Sequence, residues 1–280
     1  MQRVSRDDDA FPPALRDLAE PPVALWGIGD WMMAASPVVA VVGTRRSTAY
    51  GERVTRELAG ALARAGACVV SGMALGIDGA AHRAALDAGG RTIAVLGTGV
   101  DIAYPRAHRA LHAEIARRGL LLSELPPGAH SHGGSFLIRN RIIAALADMT
   151  VVVEAPVGSG ALNTSGHALE LGRIVAAVPG PIDMPQSEGT NDLIRSGAQI
   201  IASIADALAL VGLSAPAIGA RALETEAETR IWRELTLGAA TLDELCARAA
   251  LPVGECLAAV STLELRGAIE CLLTGQIRRR

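Results

Sequence analysis

The chain contains no lysine, so every basic residue is an arginine. A GC-rich genome is the simpler account of that absence. Its chemical consequence is that each cation offers a planar fork of donors matched to phosphate oxygens. Aromatic residues are scarce too, with three tryptophans, two tyrosines and two phenylalanines in 280 residues. Each aromatic beside a candidate site is therefore worth examining for base stacking. No strong charge of either sign is present: 26 basic against 29 acidic residues leave a net charge of −3. A globally basic nucleic-acid binder is excluded, and any such site must be local. The four cysteines, Cys68, Cys246, Cys256 and Cys271, show neither close pairing nor metal-ligand spacing. They read as small buried hydrophobes in a reducing cytoplasm. No apolar run reaches the roughly eighteen residues of a membrane span. Met1–Pro13 is polar and acidic, without the apolar segment of a secretory leader. No membrane partner is expected.

Half of the chain is hydrophobic, enough for one large domain and a small one. Residues 1–37 read as a lead-in, broken by Pro12-Pro13 and Pro21-Pro22, with a short edge strand at Val23–Trp26. From Val38 a strand–glycine turn–helix alternation begins. Strands are expected at Val38–Val42, Ala67–Val70, Thr92–Leu96, Leu120–Leu122, Thr150–Val153, Ile174–Val178 and Gln199–Ile201. Helices are expected from Gly51, from Asp78, and at His108–Arg117, Ile142–Leu146, Ser165–Leu171 and Asn191–Ser196. Repeated units of this kind imply right-handed crossovers and an α/β, doubly wound, mostly parallel sheet over residues 38–212. Residues 213–223, with Pro216 and Gly219, read as a linker. Residues 224–280 change period: three helices, the second opened by a Thr241/Glu244 capping box, then a hairpin across Thr274-Gly275. That is the outline of a small C-terminal winged helix.

Ligands of open α/β sheets bind at the carboxyl ends of strands, where helix N-termini attract anions. Four clusters fall there. Gly43-Thr44-Arg45-Arg46-Ser47 follows the first core strand, and it is neither a dinucleotide fingerprint nor a P-loop. It reads as anion capture, the alternative being two solvated arginines. Ser71-Gly72, with Gly76 further on, lets backbone pass close to a ligand, and Asp78 caps the following helix. Arg139-Asn140-Arg141 opens a helix three residues after Phe136, a credible cluster for a nucleotide strand. The alternative is one arginine paired inward, to Glu154 or Asp148. Ser159-Gly160 with Asn163-Thr164 forms a second phosphate cradle, and Glu154 ahead of it is either a general base or an arginine partner. His82 reads as a packed histidine; His130 and His132 lack a carboxylate that would complete a metal site.

Together these stretches resemble the DNA-processing protein A (DprA/Smf) family. The resemblance is carried by Val41–Arg45, Tyr50-Gly51, Ser71-Gly72 with Gly76–Asp78 and Ala81-His82, Thr92–Gly97 with Tyr104-Pro105, and Ser123-Glu124. It continues through Phe136 with Arg139–Ile143, Val152–Ala155 with Ser159-Gly160, and Ala177–Gly180 with Gly189–Asn191. It spans about residues 38–204 in order, and the tail from 224 is similar to the winged helix often appended to that family. The resemblance implies a Rossmann-like single-stranded DNA-binding protein that protects incoming DNA in natural transformation, loads RecA and forms a homodimer. It implies no enzyme activity and no cofactor, and it maps the DNA pocket onto Gly43–Ser47, Phe136 and Arg139–Arg141. Two departures stand out. Gly133-Gly134-Ser135 replaces the basic residue and histidines usual before the phenylalanine, and Leu137 replaces a proline. The family's helical N-terminal domain is not expected here.

The rival expectation is a nucleoside-monophosphate phosphoribohydrolase, with Gly158–Thr164 holding phosphate and Glu154 as base. A duplex-DNA role for the winged helix is disfavoured, because Pro252–Leu265 carries Glu255 and Glu264 and no arginine. Protein contact is the expectation for that domain.

Overall fold

Five consecutive β-branched or small apolar residues at Val38–Val42 give the buried central strand around which the first unit is built. In the computed structural model, residues 1–35, 37–214, 225–265, 268–272 and 274–279 are described. The chain divides into two compact units, Met1–Ala215 and Pro216–Arg280.

Among the described residues of the first unit, nine strands form one sheet. They are β1 (Gln2–Ser5), β2 (Ala24–Gly29), β3 (Val38–Val42), β4 (Cys68–Ser71), β5 (Arg91–Leu96), β6 (Leu120–Ser123), β7 (Met149–Val152), β8 (Ile174–Ala177) and β9 (Gln199–Ile200). Their order is β1-β2-β6-β5-β4-β3-β7-β8-β9. The β1–β2 and β2–β6 pairs are antiparallel and the others parallel. The helices are α1 (Ala49–Arg64), α2 (Ile77–Asp87), α3 (Arg109–Arg118), α4 (Ser135–Leu146), α5 (Gly160–Glu170), α6 (Pro185–Arg195) and α7 (Ile204–Leu210). On β3 the pleat splits the core: Val38, Ala40 and Val42 pack on one face of the sheet, Val39 and Val41 on the other. From β3 the chain lays β4, β5 and β6 to one side, then returns to place β7 on the other. The strand order therefore reverses between β3 and β7, where the chain ends diverge and leave a crevice.

The second unit contains α8 (Glu226–Glu234), β10 (Ala240–Thr241), α9 (Leu242–Ala249), α10 (Val253–Leu265), β11 (Ile269–Cys271) and β12 (Gln276–Arg279). The Thr241/Glu244 capping box opens α9 as expected. Ile231, Leu245, Leu263 and Ile269 are among its core residues. Among the described residues no single helix is long and apolar enough to cross a membrane.

Several expectations are corrected. Residues 1–37 are no mere lead-in: they supply β1 and β2, and β2 is flanked on both sides rather than lying at an edge. Helix α4 starts at Ser135, not Ile142; eight of its residues are buried, so it lacks the polar face that would mark it in sequence. Helix α5 starts at Gly160 and α6 at Pro185, each several residues early, and α7 was not expected. The linker expected at 213–223 falls largely outside the described residues.

His82 on α2 is fully buried. The Thr92 hydroxyl donates to the Val69 carbonyl at 2.8 Å, so it accepts from His82 Nδ1 at 2.7 Å. That fixes the proton on Nδ1 and leaves Nε2 buried without a partner among the described residues. Burial first, then the charges of His108 and Arg139, push the imidazole down to about 3. The unfolded chain takes up this proton below the ordinary value, while the folded protein does not. Stability is therefore lost as pH falls from 6.5 toward 3. We expect His82 alone to remove about 2 kcal/mol of stability at roughly pH 5 relative to neutral pH. Urea unfolding at the two pH values should show a shallower loss for His82→Leu than for the wild type; parallel losses would refute this assignment.

Candidate functional site

The β3–α1 loop is pinned from beneath. Thr44 N donates to the Glu154 carbonyl at 2.7 Å, and Ile77 N donates to the Thr44 carbonyl at 3.3 Å. The Thr44 hydroxyl accepts from Arg46 N at 3.2 Å. With its backbone fixed, the loop carries Arg45 and Arg46 exposed. Thr48 caps α1, and the Glu154 carboxylate holds that cap by accepting from Thr48 N at 2.9 Å and from its hydroxyl. Glu154 is 3% exposed. The carboxylate offered as a general base or arginine partner is thus engaged in ending β7 against α1.

Across the switch point, α4 carries Arg139 inward. Its guanidinium donates to the Gly72 carbonyl at 2.8 Å, to the Val95 carbonyl, and through Nε to Asn140 Oδ1 at 3.2 Å. Asp78 faces it across Gly72 and accepts from Gly72 N at 3.1 Å and Ala74 N at 3.4 Å. A Cβ on Gly72 would fall 2.5 Å from Arg139 Nη2 and 2.8 Å from Asp78 Oδ2, so only glycine fits between the two charges. Burial pushes the Asp78 carboxyl up, against Arg139 and the two backbone donors, which hold it down. Burial pulls Arg139 down to about 10, opposed by Asp78 and assisted by Arg45. Arg139 thus stays charged at neutral pH. The expected cap role of Asp78 is replaced by this one, since Gly76 occupies the cap position of α2.

Asn140 ties α4 to α5, its amide donating to the Gly160 carbonyl at 3.1 Å and Asn163 Oδ1 at 3.2 Å. Ser159 caps α5 by accepting from Ala161 N, and the buried Thr164 hydroxyl donates back to Gly160. Phe136 lies one turn before Arg139 on α4. Its ring stacks on Tyr104 with centroids 5.1 Å apart, and the Arg45 guanidinium stands 5.7 Å from its centroid.

These elements enclose a cleft of about 450 Å³ at the β3/β7 switch point. Of the residues expected from sequence, Gly43, Thr44, Arg45, Phe136, Arg139, Asn140, Ser159, Gly160 and Thr164 line it. The others do not. Arg46 is exposed beside it, and Ser47 donates to Glu52. Ser71 is fully buried, donating to the Val41 carbonyl at 2.7 Å. Gly72 lines a smaller neighbouring hollow of about 80 Å³. Asn163 sits behind Asn140. Arg141 pairs with Glu124 at 2.7 Å, outside the cleft. Residues two apart on a helix point nearly opposite ways, so once α4 begins at Ser135, Arg139 and Arg141 cannot share a face. Sequence reading missed Asp78, Ala74 and Leu137 in the lining, and Tyr104 behind Phe136. Aromatic scarcity and the Tyr104-Pro105 pair in the family resemblance are the signals that point to Tyr104. Among the described residues, no group of three or more His, Cys, Asp or Glu is placed to hold a metal.

Removing Asp78's charge leaves Arg139 buried without its counter-charge. Asp78→Asn should lower the unfolding free energy by about 2–3 kcal/mol, and Arg139→Met in the same chain should recover part of it, as urea titration can measure. An unaffected Asp78→Asn protein would show that the two charges are not coupled.

With fold and cleft in place, similarity to known proteins is informative. The profile of the DNA recombination-mediator protein A family matches residues 2–212, and that of the DprA winged helix domain matches residues 213–273. A putative DNA processing protein DprA of Mycobacterium tuberculosis is 42% identical over 289 aligned residues, covering 96% of this chain and 74% of that protein. The X-ray structure of DNA processing protein A from Streptococcus pneumoniae gives a TM-score of 0.72 at 41% identity, covering 74% of this chain and 73% of that one. A structure of the Helicobacter pylori DNA processing protein A, described for its single-stranded DNA binding mode, gives 0.66 at 36% identity, covering 73% of this chain and 93% of that one. Matched in order by both profiles along nearly its whole length, this chain belongs to the DNA recombination-mediator protein A family.

Proposed function

We propose that the switch-point cleft holds the sugar–phosphate backbone of single-stranded DNA, and that the protein acts in DNA processing during natural transformation. The observation that carries this reading is the convergence of Arg45, Arg139 and the amino end of α5 on one cleft, in a chain whose net charge is −3. Asp78 offsets one of the two guanidinium groups, leaving the cleft one positive charge in excess. The positive end of the α5 dipole adds to its attraction for an anion. The binding mode described for the Helicobacter pylori relative supports the same polymer. Arg45 is the exposed phosphate contact and Arg46 lies beside it; Arg139 is a fixed charge in the cleft wall.

The reading includes a homodimer that hands its strand to RecA in the cytoplasm. Family membership supports both partners. Avidity supports the dimer, since a single cleft neutralises few phosphates and two linked clefts multiply the gain. No catalytic step is part of this function. A phosphoribohydrolase is disfavoured because the carboxylate it needs, Glu154, is committed to Thr48. For the second unit we assign protein contact: α10 exposes Val253 and Leu257, four residues apart on one face, and its sequence offers no cation to a DNA groove.

Fluorescence anisotropy with a short thymidylate oligonucleotide across a salt series tests the cleft. Arg45→Ala should weaken binding about five- to tenfold at low salt and reduce the log–log salt slope by about 0.7. Arg141→Ala, which only breaks the Glu124 pair, should leave affinity and slope unchanged. Equal losses for both variants, or no binding by the wild type, would refute the assignment. Sedimentation of the free protein at micromolar concentration should give twice the chain mass; a monomer at every concentration would refute the dimer.

A further inference from the structure

Phe136, the aromatic that sequence reading offers to a base, has little ring surface left to give. It is half-buried. A Cβ on Gly97 would lie 2.6 Å from its Cδ1 and 2.9 Å from its Cε1, so one side of the ring rests on the end of β5. Tyr104 stacks against it at 5.1 Å with the planes 30° apart, and Arg45 covers it at 5.7 Å. The ring is a partition rather than a platform: it lines both the large cleft and the small hollow, together with Arg45, Ala74 and Arg139.

On the far side of that partition stands Tyr104. It is 43% exposed, and its neighbour in the hollow, Leu75, is 44% exposed. Pro105 follows it directly, which restricts the backbone of the preceding residue. One ring face is held by Phe136, which fixes the plane, and the exposed remainder borders the hollow. The hollow, about 80 Å³, is too shallow to enclose a base, but an aromatic face with an apolar shoulder suits one laid upon it.

We propose that Tyr104 is a base-stacking residue of this protein, with Phe136 as its buttress and Arg45 as the hinge between the two hollows. The proposal rests on the single-stranded DNA reading and extends it. A backbone held at Arg45 in the large cleft delivers a neighbouring nucleobase over the partition, onto Tyr104 beside Leu75. Every base has a π-face, so the position is tolerant of sequence. Tyr104 thus adds an unselective hydrophobic contact to a phosphate contact that salt screens.

The test compares wild type, Tyr104→Ala and Tyr104→Phe on a thymidylate oligonucleotide and on an abasic strand of equal length. Tyr104→Ala should lose about tenfold in affinity for the thymidylate strand, within the range known for one stacked base. On the abasic strand it should match the wild type, and Tyr104→Phe should match the wild type on both. An equal loss on both strands would mean a structural role, and no loss on either would mean no stacking; each overturns the proposal while leaving the cleft standing. A wild type that binds neither strand overturns the DNA reading itself, and this proposal with it. Photocrosslinking of the unmodified protein to a 5-iodouracil oligonucleotide gives an answer without substitution. Mass spectrometry should place an adduct on Tyr104; adducts confined to Phe136, or none on Tyr104, overturn the assignment.

Discussion

Two opposite charges held apart by a single glycine organise the carboxyl edge of this sheet. Arg139 and Asp78 are 7% and 6% exposed, a placement that costs several kcal/mol per ion unless donors and acceptors are well matched. They are matched here mainly by backbone. Arg139 gathers the carbonyls that end β4 and β5, and Asp78 gathers the amides of the turn after β4. Through Asn140 the same cluster reaches the start of α5. Five elements are thereby fixed to one another around the mouth of the cleft. The arrangement also explains why Gly72 admits no side chain, because any Cβ would displace the guanidinium from its carbonyls.

That cluster changes what kind of residue Arg139 is. A long, solvated arginine gains a phosphate at the expense of its own rotamer entropy. Arg139 has already lost that freedom in folding, so it presents charge without further ordering. It also repels Arg45, whose guanidinium stays exposed against the Phe136 ring. Two like charges kept near each other by a folded wall are relieved by an anion between them, the sense in which the cleft is preorganised.

Much of this was legible in the sequence, and the exceptions have physical causes. The core strands were plain because strands buried on both faces are written as uninterrupted apolar runs, as at Val38–Val42. Arg45 and the Ser159-Gly160 turn come to one cleft because strand ends are where parallel sheets put their loops. Helix α4 was misjudged because a buried helix has no polar face, and its start follows two glycines that look like loop. That displacement of about two turns alone puts Arg139 and Arg141 on one surface. Strand β1 is hidden, and β2 is legible only as an edge strand at Val23–Trp26, for a different reason: both add antiparallel to a parallel sheet, beyond the alternation that reveals the rest. The Asp78–Arg139 relation joins residues far apart in sequence, and no local pattern announces such a pair.

The replacement of a basic residue by Gly133-Gly134-Ser135 now has a structural reading. Gly134 lines the cleft at the start of α4 and Ser135 is buried just behind it, so no side-chain cation stands at that corner. The cations at the cleft mouth are then Arg45 and Arg46, with Arg139 set in the wall. On the proposed reading, a cleft served by so few charges releases few counterions, and its hold on a strand weakens only gently with salt. Affinity must then come from contacts that salt does not touch. On the same proposed reading, the aromatic pair at the edge of the cleft, in a chain with only seven aromatic residues, supplies such a contact. Fewer charges and more stacked surface form one consistent solution for a protein that has no lysine and carries a slight negative charge.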